Sequence, residues 1–161
     1  MTGTIRRAGA LIVVGFDGTG ASLTAMRWAV QAAPLHRASM LLVFVVDQLR
    51  RAPYSGSPDL SPWLKGDADG RALLACARLE ATRALTADRV SCELIAGSPA
   101  KVLIDRSAGA ELLVLGTAHP VYDPANQLPP AMGSVARPCL HAAACPVVIV
   151  PHHWSCVPAC V

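Results

Sequence analysis

Three short stretches of this chain are apolar at every position, and they constrain its fold more than any other feature. Residues 10–16, 40–46 and 112–115 contain no polar side chain. Strands without polar alternation have both faces covered, which is typical of a parallel sheet between two layers of helices. Another apolar run, at 146–150, predicts a further strand of the same kind.

One segment alternates instead. Val90, Cys92 and Leu94 are interleaved with Ser91 and Glu93. This period of two predicts a strand with one wetter face, which we expect at an edge of the sheet.

Helical patterns lie between the strands. After the first strand, Thr19 or Ser22 can cap a helix that we expect Pro34 to end, and its apolar residues recur at helical spacing: Leu23, Met26, Ala29, Val30 and Ala33. A second helical pattern covers residues 74–85. A loop rich in proline, glycine, serine and aspartate separates it from the second strand, over 47–67.

Two more helices are predicted from their start signals. Ser98-Pro99 is a cap followed by proline at the first helical position, and we expect this helix to reach Ala108. The last helix is predicted from Ser134, as cap, to Ala143, with Pro138 costing a hydrogen bond or a kink.

Strands and helices therefore alternate along the chain. This order predicts the α/β class: one doubly wound, five-stranded parallel sheet with helices on both faces, Rossmann-like. The length of 161 residues suits a single domain.

A ligand site is predicted at the end of the fourth strand. The strand stops at Gly116, and Gly133-Ser134 opens the next predicted helix, so backbone amides and the positive end of a helix dipole would converge. Ligands of doubly wound sheets bind past the carboxyl ends of the strands, where the winding reverses. That rule selects the strand ends at Asp17 and Gly116.

Composition and charge argue against several classes of protein. The net charge is only +3, and the basic residues are scattered, whereas nucleic-acid binding needs a concentrated patch. Charged residues make up 16% of the chain, which is low for an exposed surface and hints at a subunit interface. The apolar runs are too short to cross a bilayer, and Asp17 interrupts the one near the amino end. We therefore expect a cytoplasmic protein.

Cysteine and histidine raise the question of a metal site. We interpret Cys76, Cys92, Cys139 and Cys145 as small buried hydrophobic residues kept reduced. Soft ligands also occur close together near the carboxyl end, at a spacing that zinc or copper could accept: His152, His153, Cys156 and Cys160. Because four ligands in so short a segment need a tight turn, we expect no metal.

Four segments in this order resemble the universal stress protein family. They are Val13-Val-Gly-Phe-Asp-Gly18 with Ser22 and Trp28-Ala29, Val45-Val-Asp47, Gly97-Ser-Pro99 with Ala110-Glu-Leu-Leu-Val-Leu-Gly116, and Gly133-Ser-Val135 with Ala144-Cys-Pro-Val-Val-Ile-Val150. The resemblance implies a single domain over residues 1–150, like the adenine nucleotide alpha hydrolases in fold, with 151–161 as a tail. It also implies a homodimer formed through the last strand.

Some members of this family bind ATP, together with Mg²⁺, through the pattern Gly-x-x-Gly-x9-Gly-Ser or Gly-Thr. By resemblance, Asp17 and Val45 would contact the nucleoside, Val45 through its backbone. Ribose and phosphates would be held by four residues: Gly116, Gly133, Ser134 and Val135.

The middle of this pattern is changed. His119 replaces the second glycine, and 13 residues, four of them prolines, separate it from Gly133. The histidine Cβ obstructs close approach of phosphate, and each proline removes an amide donor.

Two hypotheses of function follow. In the first, the chain is a stress-regulatory module that binds ATP; in the second, it is a dimeric interaction protein of the same fold that binds no nucleotide. Neither HxGH nor a serine-glycine phosphate loop occurs, and no Ser-His-Asp arrangement stands out. We therefore expect no enzyme, or at most a slow ATPase.

Overall fold

A computed structural model describes residues 9–47, 67–117 and 133–155 of the chain. Within these ranges the strands are β1 (Leu11–Gly15), β2 (Ser39–Val46), β3 (Val90–Ala96), β4 (Leu112–Thr117) and β5 (Val147–Pro151). The helices are α1 (Gly20–Leu35), α2 (Asp67–Ala81), α3 (Pro99–Arg106) and α4 (Ala136–Ala142), with a short 3-10 turn at Ala87–Arg89.

The five strands form one parallel sheet in the order β3-β2-β1-β4-β5. In the centre, Val14 of β1 lies between Leu42 of β2 and Val114 of β4. The predicted doubly wound α/β fold is confirmed. The alternating strand β3 lies at an edge, as its pattern indicated.

Successive residues of each central strand enter two different cores. On β1, Ile12 and Val14 pack with Met26 of α1 and Leu74 of α2. Val13 points to the other face and packs in a second core with residues of α3 and α4, among them Leu103 and Cys139. Because both faces are covered, polar alternation disappears, and each fully buried aliphatic side chain contributes roughly 1.5–3 kcal/mol.

Helix α1 begins as predicted and ends one residue later than predicted. The Thr19 side chain is the N-cap and accepts a hydrogen bond from the Ser22 N–H at 3.2 Å. Pro34 lies inside the last turn rather than ending the helix. In this turn the loss of its N–H is tolerated, because the N–H groups of His36 and Ala38 still donate to carbonyls of the helix.

The predicted start of the last helix was wrong, and Pro138 explains why. The N–H groups of Arg137 and Cys139 donate to the carbonyls of Gly133 and Val135, both at 3.3 Å. Pro138, between them, has no N–H for the intervening carbonyl, so regular helix begins only at Ala136. The N-cap is therefore Val135, without a side-chain bond, and not Ser134.

The ends of two other helices also differ from the predicted ones. Helix α2 ends at Ala81, before the predicted residues 84–85, and α3 ends at Arg106, before Ala108. Ser98 occupies the N-cap position of α3, yet its side chain makes no capping bond. The sequence pattern therefore gave the position of this N-cap correctly but not its side-chain hydrogen bond.

Several predictions fall outside the described residues. They concern the loop over 48–66, His119 with the prolines that follow it, and the cysteines at 156 and 160. The division into a domain over 1–150 and a tail stays a prediction, although β5 continues to Pro151 and Trp154 packs against the first core. No helix in the described ranges is long and apolar enough to span a bilayer.

Gly116 lets α1 lie directly against β4. A Cβ on Gly116 would be 3.0 Å from the Ser22 nitrogen and closer still to the Ala21 carbonyl. Both neighbours belong to helix backbone, which cannot move aside as a flexible side chain can. The packing of the first turn of α1 on the end of β4 therefore requires glycine at this position.

We predict that Gly116→Ala destabilises the protein by roughly 1–3 kcal/mol, because the added methyl group forces α1 away from the sheet. The matched control is Gly133→Ala, where an added Cβ meets no atom of the described residues within 4 Å. Urea denaturation of both variants measures the difference. Equal stabilities of the two variants would contradict the assigned packing role.

Candidate functional site

The candidate site lies where β1 and β4, neighbours in the sheet, lead to opposite faces. Helix α1 follows β1 and packs in the first core, whereas α4 follows β4 and packs in the second. The two connections thus diverge at the carboxyl ends of these strands. In doubly wound sheets this divergence opens a crevice, and ligands bind there.

Asp17 follows β1 at this crevice and is held by the turn that leads into α1. Its Oδ1 accepts two hydrogen bonds from Thr19, from the N–H at 2.9 Å and from the hydroxyl at 2.6 Å. Its own N–H donates to the Ser22 Oγ at 3.4 Å. An exposed carboxylate is thereby fixed in orientation beside the end of the strand.

Val45 presents backbone groups to the same edge. The Val43 carbonyl accepts from the Phe16 N–H, and the Val46 carbonyl accepts from the Gly97 N–H on the opposite side of the strand. Because N–H and C=O directions alternate along a strand, both polar groups of Val45 point to the β1 side. Strand β1 has already ended at Gly15, so these groups face the space beyond it.

The four residues of the predicted phosphate cradle differ in their surroundings. Gly116 packs against the backbone of α1, and this contact explains why the position needs glycine even when no ligand binds. Gly133 and Ser134 are exposed, and Val135 is half-buried and packs against the second core. Since α4 is short and lacks a capping side chain, its dipole adds little to this cradle.

The structure brings part of the predicted site together. Asp17 and Gly116 meet through the first turn of α1, where Ser22 contacts both by way of its side chain and its backbone. Val45 lies on the adjoining strand. Gly133 to Val135 lead into α4 on the face of the second core, and the residues that connect them to β4 lie outside the described part of the chain.

The sequence did not predict one contact near this region, between His152 and α1. His152 lies against α1, and a Cβ on Gly20 would be 2.8 Å from its Nε2. The Thr24 hydroxyl donates to the Gly20 carbonyl at 2.9 Å and also lies 3.4 Å from the His152 carbonyl. No local pattern announces this contact, because the partners are far apart in sequence.

Two concavities of the described residues lie away from the crevice. One, of about 610 Å³, lies between α2 and β3; another, of about 410 Å³, lies between α1, α2 and Trp154. Neither is lined by any of the six residues predicted to hold ATP.

The four described cysteines form no disulfide with one another, and only Cys139 is fully buried. Cys76 is exposed, so the interpretation as a buried hydrophobic residue was wrong there, because it falls on the outer face of α2. Burial raises the pKa of the Cys92 and Cys139 thiols, so both remain protonated at neutral pH. Over the described ranges, no group of three or more His, Cys, Asp or Glu could hold a metal.

Comparison with known proteins gives a consistent result. The sequence profile of the Universal stress protein family matches residues 11–151. Universal stress protein Rv2623 of Mycobacterium tuberculosis is 29% identical over 160 residues, which cover 91% of this chain and 49% of that protein. The chain spans about half the length of the curated relatives it matches.

Solved structures agree in fold. Universal stress protein UspA from Lactobacillus plantarum has a TM-score of 0.65 and 23% identity, with 88% of this chain and 97% of that chain covered. A universal stress protein in complex with cAMP has a TM-score of 0.63 and 26% identity, with coverages of 89% and 97%. With the profile match over most of its length, this chain belongs to the universal stress protein family.

Proposed function

We propose that this protein binds an adenine nucleotide, ATP with Mg²⁺, in the crevice between the carboxyl ends of β1 and β4. In this role it is a stress-regulatory module whose occupancy reports the energy state of the cell. The observation that carries the proposal is the direction of the Val45 backbone groups, which face the space beyond β1 beside the fixed carboxylate of Asp17.

The backbone of Val45 suits an adenine ring. An N–H donor and a C=O acceptor on one side of a strand complement a base edge that carries a ring-nitrogen acceptor next to an amino donor. The half-buried Val45 side chain packs in the second core, so these backbone groups are held in place. Preorganised groups lose little entropy when the base binds.

Asp17 suits the sugar. A carboxylate accepts hydrogen bonds and carries no donor at neutral pH, which matches ribose hydroxyls and disfavours phosphates. Thr19 orients the carboxylate through two hydrogen bonds to Oδ1. We therefore assign Asp17 to the nucleoside and not to the triphosphate.

The phosphates would lie at Gly133 and Ser134. Both residues are exposed, and the space around Gly133 is open among the described residues. Val135 supports them from the second core. Gly116 acts indirectly in this proposal, because its missing side chain lets α1 and the Asp17 turn approach β4. Mg²⁺ would bind mainly through phosphate oxygens, as is usual for this ion.

The cAMP complex of a relative supports the ligand class, since it shows an adenine nucleotide on a protein of this family. We propose a binding role without catalysis, or with at most slow ATP hydrolysis, and a cytoplasmic location.

A second candidate function is interaction without nucleotide, as a dimer through β5. One observation favours it: the packing of Gly116 on α1 accounts for this glycine without a ligand. Strand β5 pairs with β4 on one side, and its apolar residues Val147, Val148 and Ile149 remain partly exposed. An apolar edge strand of this kind is suited to pair with a second copy.

We predict that ATP with Mg²⁺ binds saturably in the micromolar range, and that Ser134→Tyr abolishes binding by filling the phosphate region. Isothermal titration calorimetry on folded protein measures both. The matched control is Ser155→Tyr, the same change at an exposed serine beside Trp154, which should bind as the wild type does. No heat and no thermal shift with the folded wild type would reject the nucleotide function and leave the interaction protein.

We predict that Ile149→Pro converts the dimer to a monomer. The Pro146 carbonyl accepts from the Leu113 N–H of β4, so by alternation Val148 also faces β4 and the Ile149 N–H faces outward. Proline at 149 therefore removes a donor from the outer edge and leaves the β4 ladder intact.

Sedimentation velocity measures the outcome. Ile149→Ala, which keeps the backbone donor, is the control and should remain a dimer. A monomeric wild type, or a dimeric Ile149→Pro variant, would exclude pairing through β5.

A further inference from the structure

The outer edge of β3 carries backbone groups that point away from the sheet. The Gly97 N–H donates to the Val46 carbonyl of β2, so by alternation Ile95 and Glu93 also face β2. Cys92 and Leu94 then face outward. The Arg78 Nε donates to the outward carbonyl of Val90 at 3.2 Å, in agreement with this alternation.

A groove runs beside this edge. It measures about 610 Å³, and Leu74 of α2 with Cys92 and Leu94 of β3 contributes apolar lining. Because burial raises the pKa of the Cys92 thiol, this side chain stays neutral and belongs with the apolar lining. Leu79 on the α2 side is 69% exposed, one of the few large hydrophobic side chains left in solvent.

The charge of the groove has one sign. The described residues that line it include Arg71 and Arg78 and no carboxylate. The Arg78 Nη2 also donates to the Ala87 carbonyl at 3.2 Å, which fixes the guanidinium at the end of the groove where β3 begins. Among the described residues, the hydrogen-bond partners of Arg78 are neutral carbonyls, which do not offset its positive charge, so the groove favours an acidic occupant.

We propose that the outer edge of β3 and the groove beside α2 bind an extended segment of a partner protein, which adds to the sheet as a sixth strand. On the side that faces α2, the segment carries an apolar residue, which enters the groove, and acidic residues near Arg71 and Arg78. Because side chains alternate along a strand, these residues occupy every second position of the segment. Backbone pairing with Cys92, Leu94 and Ala96 supplies affinity, and the groove and the two arginines supply specificity.

A second copy of this chain is a poorer occupant. Symmetric pairing of two β3 edges would bring two identical arginine-bearing grooves together. Like charges placed across a strand pair destabilise it. The proposed surface is also at the opposite edge of the sheet from β5, so it does not overlap the proposed dimer surface.

Amide hydrogen exchange tests whether the edge is open in the full-length protein. The outward amides of Cys92, Leu94 and Ala96 should exchange faster than the inward amides of Glu93 and Ile95. Equal protection of all five would mean that another part of the chain or a second copy already covers the edge, and this outcome would overturn the proposal.

A model peptide tests binding directly. The probe is a fluorescein-labelled peptide of about eight residues, long enough to span β3, with glutamate and valine on the side that faces the groove and threonine at the positions between them. We expect saturable binding by fluorescence anisotropy, with protection of the outward amides on addition of the unlabelled peptide. The same peptide with lysine in place of glutamate should bind roughly tenfold or more weakly.

Two variants locate the binding surface. Ala96→Pro removes an outward N–H from an exposed position, and Arg71→Glu reverses the charge of the groove; each should weaken binding by roughly tenfold. Arg83→Glu makes the same charge change at an exposed residue outside the groove and should bind as the wild type does. Absence of binding, equal binding of the lysine peptide, or indifference to Ala96→Pro would each overturn the proposal.

Discussion

The pairing of β1 between β2 and β4 is the constraint on which the rest of this structure depends. In this position Ile12 and Val14 enter one core and Val13 enters the other, so both layers of helices are tied to a single strand. The reversal of winding next to β1 then places the Asp17 turn at the crevice. Gly116 completes the arrangement, because only glycine allows α1 to pack on the adjoining end of β4.

The three surfaces proposed to bind other molecules share one physical origin. In each, part of a strand lacks a neighbouring strand on one side among the described residues. Val45 lies beyond the end of β1, and β5 and β3 form the two edges of the sheet. Backbone donors and acceptors in such positions gain from a partner, whether it is a base, a second copy or an extended segment. What differs is the side-chain setting, with Asp17 at the first surface, aliphatic residues at the second and arginines at the third.

Strands could be predicted from sequence better than helix ends or contacts. An unbroken apolar run has one explanation, burial on both faces, and the runs near Val13, Leu42 and Leu113 were placed correctly. The predicted start of α4 was wrong because Pro138 has no N–H to donate to the carbonyl four residues earlier. Family resemblance suggested a ligand role for Gly116, but its closest neighbour is the Ala21 backbone, and no local pattern reveals so distant a contact.

The proposed function requires an adenine nucleotide in the crevice at the carboxyl ends of β1 and β4. An amide chemical-shift map, recorded while the isotope-labelled protein is titrated with ATP and Mg²⁺, tests this most directly because it reports position as well as binding. We expect the largest shifts on Asp17, Val45 and residues 133–135. An unchanged spectrum, or shifts confined to α2 and β3, would contradict it.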